Sequence, residues 1–213
     1  MKNFIKSVIL IVFIVLSIVT IIKPKDERNL EAEEVMLVNK SFSLSRNYVP
    51  QNLIEPDITY LNSVEGEEKF LEKDTAIAIE KLFYEAKMEN IKLYATSGYR
   101  SYELQKEIYN NRVKSQGKVM ADKYVARPGE SEHQTGLAID ITNEIRSFTG
   151  DTKEANWLEN NSYKFGFIVR YPEDKEYITG YNYEPWHLRY VGLEIAKQIH
   201  EREIVLEEYL NIN

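Results

Sequence analysis

Ser131-Glu132-His133-Gln134-Thr135-Gly136-Leu137-Ala138-Ile139-Asp140 is the stretch that constrains the fold most tightly, because it sets a histidine seven residues before an aspartate. A second short block, Glu184-Pro185-Trp186-His187, repeats the pairing of histidine with an acid. A hydrolytic zinc centre needs three protein ligands, an open position for water and a nearby base. His133, Asp140 and His187 can supply the ligands and Glu184 the base. On one helix, His133 and Asp140 would lie about 10 Å apart along the axis, too far for short side chains that must each approach zinc to about 2 Å. The segment must therefore turn, and Gly136 is the expected place. That reading puts His133 on a loop and Asp140 on the strand that follows. Pro185 likewise argues against a helix through residues 184–187, so Glu184 and His187 are expected at a turn on a strand edge.

Around these blocks the pattern alternates between helix and strand. Residues 67–90 place Phe70, Leu71, Ala78, Leu82, Phe83 and Ala86 at helical spacing with charges between, which predicts an amphipathic helix. Residues 91–96 have strand character. A second helix is expected over 101–116, with Ser101 as N-cap and Gly117 as its stop. Short strands are expected over 137–142 and 167–171, with a helical turn or two over 154–161 between them, and a last helix over 191–209. The expected class is α+β: a small, mainly antiparallel sheet carrying the zinc site, flanked by helices.

The 213 residues suffice for one ordinary domain and a modest appendage. With 43% hydrophobic, 12% aromatic and 29% charged residues, the composition is that of a globular protein. The absence of cysteine excludes disulfides, thiolate metal sites and cysteine nucleophiles, so a transition metal would have to sit among His, Asp and Glu. Four lysines and no acid fall in residues 1–25, leaving 23 basic against 34 acidic residues and a net charge of −11. A nucleic-acid partner is not expected for such a domain.

Residues 7–22 are an unbroken apolar run between lysines. Their length leaves a spanning helix and a signal segment both open, but the run ends without a small-x-small cleavage site, which favours an uncleaved anchor helix. The expected organisation is an anchor or signal segment over 1–25, a charged tether over 26–34, and a domain over 35–213 that begins with an extended, proline-punctuated arm. The domain would lie outside the membrane. His200, inside the charged run Gln198-Ile199-His200-Glu201-Arg202, is expected to face solvent.

Residue by residue, a blander account reads the two histidines as loop or core residues and the acids as solvated charges; their combination argues against it. The blocks Ser97-Gly98-Tyr99-Arg100-Ser101 with Gln105, Ser131-x-His133-x-x-Gly136-x-Ala138-x-Asp140 and Glu184-x-Trp186-His187 resemble the zinc D,D-carboxypeptidases of the VanY type, whose peptidase family also includes VanX dipeptidases and L,D-carboxypeptidases. The likeness spans about residues 35–205. It implies a single zinc ion on His133, Asp140 and His187, Glu184 as catalytic acid and base, and Arg100 beside the scissile carbonyl. It also implies that Ser131 and Gln105 help hold the peptide terminus. The implied substrate is a peptidoglycan stem peptide losing its C-terminal D-alanine. With the apolar run as its anchor, the enzyme is expected outside the membrane, and a monomer is expected. Alternatives are an L,D-carboxypeptidase acting on tetrapeptide stems, a wall endopeptidase, and a non-catalytic wall-binding module that zinc merely stabilises.

Overall fold

The structure, a computed structural model, describes residues 35–212, and Met36–Asn213 forms one compact unit. The anchor and tether expected over 1–34 lie outside the described residues. Among the described residues, no helix is long and apolar enough to cross a membrane. In chain order the elements are β1 (Leu53–Ile54), β2 (Leu71–Glu72), α1 (Lys73–Met88), β3 (Tyr94–Ser97), α2 (Tyr102–Gln116), α3 (Lys118–Tyr124) and β4 (Ala138–Thr142). They continue with α4 (Lys153–Asn161), β5 (Phe167–Tyr171), α5 (Glu176–Thr179), β6 (Glu184–Tyr190), α6 (Leu193–Arg202) and α7 (Leu206–Tyr209). The class is mixed α+β, with β1 and β2 forming a small antiparallel ribbon and the other four strands an antiparallel sheet in the order β3-β4-β6-β5.

The helix expected over 67–90 begins later than its apolar spacing suggests. Gly66–Lys69 forms a tight 3-10 turn and Leu71 pairs with Ile54, so the helix starts only at Lys73, where the Glu72 carboxylate accepts from the Asp74 N–H. From there Ala76, Ile79, Leu82 and Ala86 recur at helical spacing and bury one face of α1. That face packs on Ala95, Ile139, Ile141 and Leu188 of the sheet, joined by Trp157 and Leu158 of α4.

Because strand side chains alternate between faces, burying Ile139, Ile141 and Leu188 against α1 forces Asp140, His187 and Arg189 onto the opposite face. The register sets Asp140 opposite His187 on one side and Ser97 on the other. Directly paired residues have Cβ atoms about 4.5 to 5.5 Å apart, so sheet register alone brings two of the expected metal ligands together.

Two further expectations need correcting. Glu184 to His187 form no turn at an edge; they open β6, which lies between β4 and β5. The strand tolerates Pro185 because pairing with β5 jumps from Val169↔Leu188 to Tyr171↔Glu184, a bulge that leaves the proline out of regular pairing. The single helix expected over 191–209 is broken at Glu203, which adopts φ 52° and separates α6 from α7. The arm crosses the domain without regular structure up to β1, tied down where the Gln134 side chain donates to the carbonyls of Ser45 and Tyr48.

Candidate metal centre

Gly136 takes the left-handed conformation, φ 71°, that ends the 3-10 turn Glu132–Thr135 and starts the run into β4. The turn expected there is present, and His133 sits on it. A Cβ at Gly136 would stand 3.0 Å from the Glu72 backbone nitrogen, so close packing adds to the preference for glycine that the positive φ sets. Gly98 is required for a different reason: a Cβ would come within 2.6 Å of the Phe70 carbonyl oxygen. That close approach sets the Gly98 carbonyl 2.6 Å from His133 Nδ1. With Nδ1 donating its proton there, Nε2 carries the lone pair.

His133 Nε2 is buried and has no hydrogen-bond partner; Asp140 Oδ2 lies 3.3 Å away without hydrogen-bond geometry. The other Asp140 oxygen is 2.9 Å from His187 Nδ1. One ligand atom from each of His133, Asp140 and His187 falls within 4.8 Å of the others, a set that could hold one metal ion. Two imidazoles and one carboxylate, with no thiolate available, suit a borderline cation such as zinc. The rings of His133 and His187 meet edge to face at 5.0 Å, and Tyr171 packs on His187 at the same separation.

The electrostatics differ sharply among these groups. Burial, reinforced by Arg100, pushes His133 down to about 4 and keeps it neutral. Burial also pulls His187 down, but the Asp140 and Glu132 carboxylates outweigh it and raise the imidazole to about 9. Asp140 is held well below the usual carboxylate range by the two histidines, against the effect of burial. Glu184 moves the other way: burial, with Asp140 and Glu132 adding repulsion, raises it to about 7 despite attraction from His187 and Arg100. A carboxyl tuned near neutrality beside such a cluster is suited to general acid and base work.

Arg100 joins the cluster, its Nη2 3.8 Å from Asp140 Oδ2 and its Nε buried without a partner. Gln105 is buried on α2 with Nε2 donating to the Ala126 carbonyl and Oε1 unpartnered. What Gln105 leaves free is an acceptor, which fits an N–H of a peptide and not its carboxylate. Ser131 is buried at the N-cap of the 3-10 turn, and its side chain makes no cap hydrogen bond. His200 is exposed as expected and stacks on Tyr163 at 3.9 Å, far in role from the cluster.

Sequence reasoning missed Glu132, Arg170, Arg189 and Glu207, all buried on the same polar face. Glu132 Oε1 accepts from Arg170 Nε and Arg189 Nη1, each at 2.8 Å, while Oε2 lies 3.3 Å from His187 Nε2. Arg170 also makes a two-point pair with Glu207 at 2.9 and 2.6 Å. The available signal was an arginine between an aliphatic residue and a tyrosine in each of two strands, Val169-Arg170-Tyr171 and Leu188-Arg189-Tyr190.

A family model described as VanY: D-alanyl-D-alanine carboxypeptidase matches residues 68–193, more than half of the chain. The chain belongs to the VanY family. The YodJ protein of Bacillus subtilis, whose name assigns it provisionally to the carboxypeptidases, is 47% identical over 178 residues, covering 81% of this chain and 65% of its own length. The chain thus spans just under two thirds of that curated relative. Among solved structures, the LdcB LD-carboxypeptidase superposes with a TM-score of 0.78 at 44% identity, covering 86% of this chain and 88% of that one. The VanY D,D-pentapeptidase of a VanB-type resistance cassette, an alanine variant solved with Zn(II), gives 0.70 at 38%, covering 83% and 98%. The VanY match includes all seven residues singled out in the sequence, from Arg100 to His187, whereas Glu207 lies beyond it.

Proposed function

We propose that this protein is a zinc-dependent D-alanyl-D-alanine carboxypeptidase that removes the C-terminal D-alanine from peptidoglycan stem peptides. His133, Asp140 and His187 hold the zinc. The observation that carries the reading is His133 Nε2, a buried lone pair without a partner facing the Asp140 carboxylate in a cluster that includes a carboxyl tuned near neutrality. Bound zinc supplies Lewis acidity, lowering the pKa of water toward about 7 and polarising the carbonyl under attack. Glu184 takes the proton from the attacking water and returns it to the leaving amine of D-alanine. Arg100 donates from its guanidinium to the carbonyl oxygen as negative charge develops on it. Ser131 lines the peptide terminus, and the free Gln105 Oε1 accepts from a peptide N–H.

The apolar run over 7–22 anchors the protein in the cell membrane with the domain outside, where it meets its substrate as a monomer. Likeness to the LdcB LD-carboxypeptidase favours a second reading, an L,D-carboxypeptidase acting on tetrapeptide stems. Incubating the zinc-loaded protein with pentapeptide and tetrapeptide stems and measuring released D-alanine separates the two. Release from the pentapeptide is expected. Release from the tetrapeptide alone would replace the first reading by the second, and release from neither would remove both.

A further inference from the structure

His187 presents its two ring nitrogens to two different carboxylates. Nδ1 faces Asp140 Oδ1 at 2.9 Å, and Nε2 faces Glu132 Oε2 at 3.3 Å. Asp140 belongs to the candidate ligand set and Glu132 does not. Glu132 is 1% exposed, and its other oxygen is occupied by two guanidinium groups. It is therefore not free to swing toward a cation. Arg170 is fixed in turn by Glu207, which accepts from Asn39 Nδ2 at 3.1 Å, and Arg189 Nη2 donates to the Met36 carbonyl at 2.6 Å. Glu132 and Glu207 balance Arg170 and Arg189 in charge, so the cluster resists collapse or hydration.

We propose that Glu132 is a positioning residue for the metal site: it accepts the Nε2 proton of His187, fixing the imidazole so that Nδ1 is the nitrogen offered to zinc. A carboxylate behind a metal-binding imidazole sets its tautomer and raises its basicity, and losing such a partner typically weakens metal binding about 10- to 100-fold. The clamp draws on both ends of the domain, since Met36, Asn39 and Glu207 lie outside the region matched by the family model. The proposal rests on the metal site argued above but needs no hydrolysis. A protein that binds zinc and cleaves nothing would refute the activity and leave this clamp open to its own test.

Two charge-balanced variants isolate the acceptor. Glu132→Leu/Arg189→Met removes it, whereas Glu132→Gln/Arg189→Met restores an oxygen without the charge. After checking folding by circular dichroism, zinc release into excess chelator and the visible spectrum of the cobalt-substituted protein are compared with wild type. Release about 10- to 100-fold faster with an altered cobalt spectrum is expected for the leucine variant, and near-wild-type behaviour for the glutamine variant. Wild-type release from the leucine variant, or equal loss from both, overturns the proposal. Should the leucine variant not fold, nitrogen-15 NMR of zinc-loaded wild type decides. A proton on His187 Nε2 is expected, and one on Nδ1 overturns it.

Discussion

His133 and His187 touch edge to face yet carry different protons, because one answers to a backbone carbonyl and the other to two carboxylates. His133 offers Nε2 without losing anything. His187, raised to about 9, must release a proton before it can ligate, so zinc uptake at neutral pH expels one. Glu184 carries the other consequence for pH. In the proposed role it must be a carboxylate, and that base form disappears as pH falls through its pKa, which burial raises to about 7. The charge of a bound zinc can only lower that value. The acid limb of kcat/KM is therefore expected at or below pH 7, falling about tenfold per unit beneath it. A pH–rate profile whose acid limb lies clearly above 7 would assign that limb to another group.

At the scale of elements, the sequence was legible where one periodicity ruled. β5 falls on residues 167–171 and α2 starts after its Ser101 cap, whose Oγ accepts from the Leu104 N–H, because local chemistry sets both. β6 was hidden by Pro185: a proline counts against a central strand, and only the bulge opposite Val169 and Tyr171 makes room for it. The α6–α7 break was hidden because Glu203 looks like any helical surface residue; what stops the helix is its left-handed conformation, φ 52°. L-residues with side chains are strained there. Glu203→Gly is accordingly expected to raise stability by about 0.5 to 1 kcal/mol in denaturant unfolding, with zinc content unchanged. A loss of stability would mean that the Glu203 side chain contributes more than its backbone strain costs.

At the scale of the molecule, the sheet separates two interiors. One face packs α1 and α4 in an apolar core, which hydrophobic spacing foretells; the other carries the candidate metal ligands, with both histidines buried and Asp140 half-buried, and a buried set of paired charges. The candidate ligands and Glu184 stood out because two of only three histidines fall in short blocks beside acids. Glu132, Arg170, Arg189 and Glu207 were not, because partners 37 to 57 residues apart meet only after the strands pair, and a lone charge in sequence looks solvated. Their burial makes this second interior sensitive to single changes. Glu207→Ala leaves the Arg170 guanidinium half unpaired and is expected to cost about 3 to 5 kcal/mol in denaturant unfolding. A cost below about 1 kcal/mol would show that the Arg170 pair is not held in a dry interior.

Both interiors serve one catalytic claim, that a zinc held by His133, Asp140 and His187 works with Glu184 as the proton carrier. The most direct test is D-alanine release from a pentapeptide stem by zinc-loaded wild type and Glu184→Ala, with bound zinc measured in both. One zinc per chain is expected in each, with release by the wild type and a rate about 100- to 10,000-fold lower in the variant. Undiminished release by a zinc-loaded Glu184→Ala protein would contradict that claim.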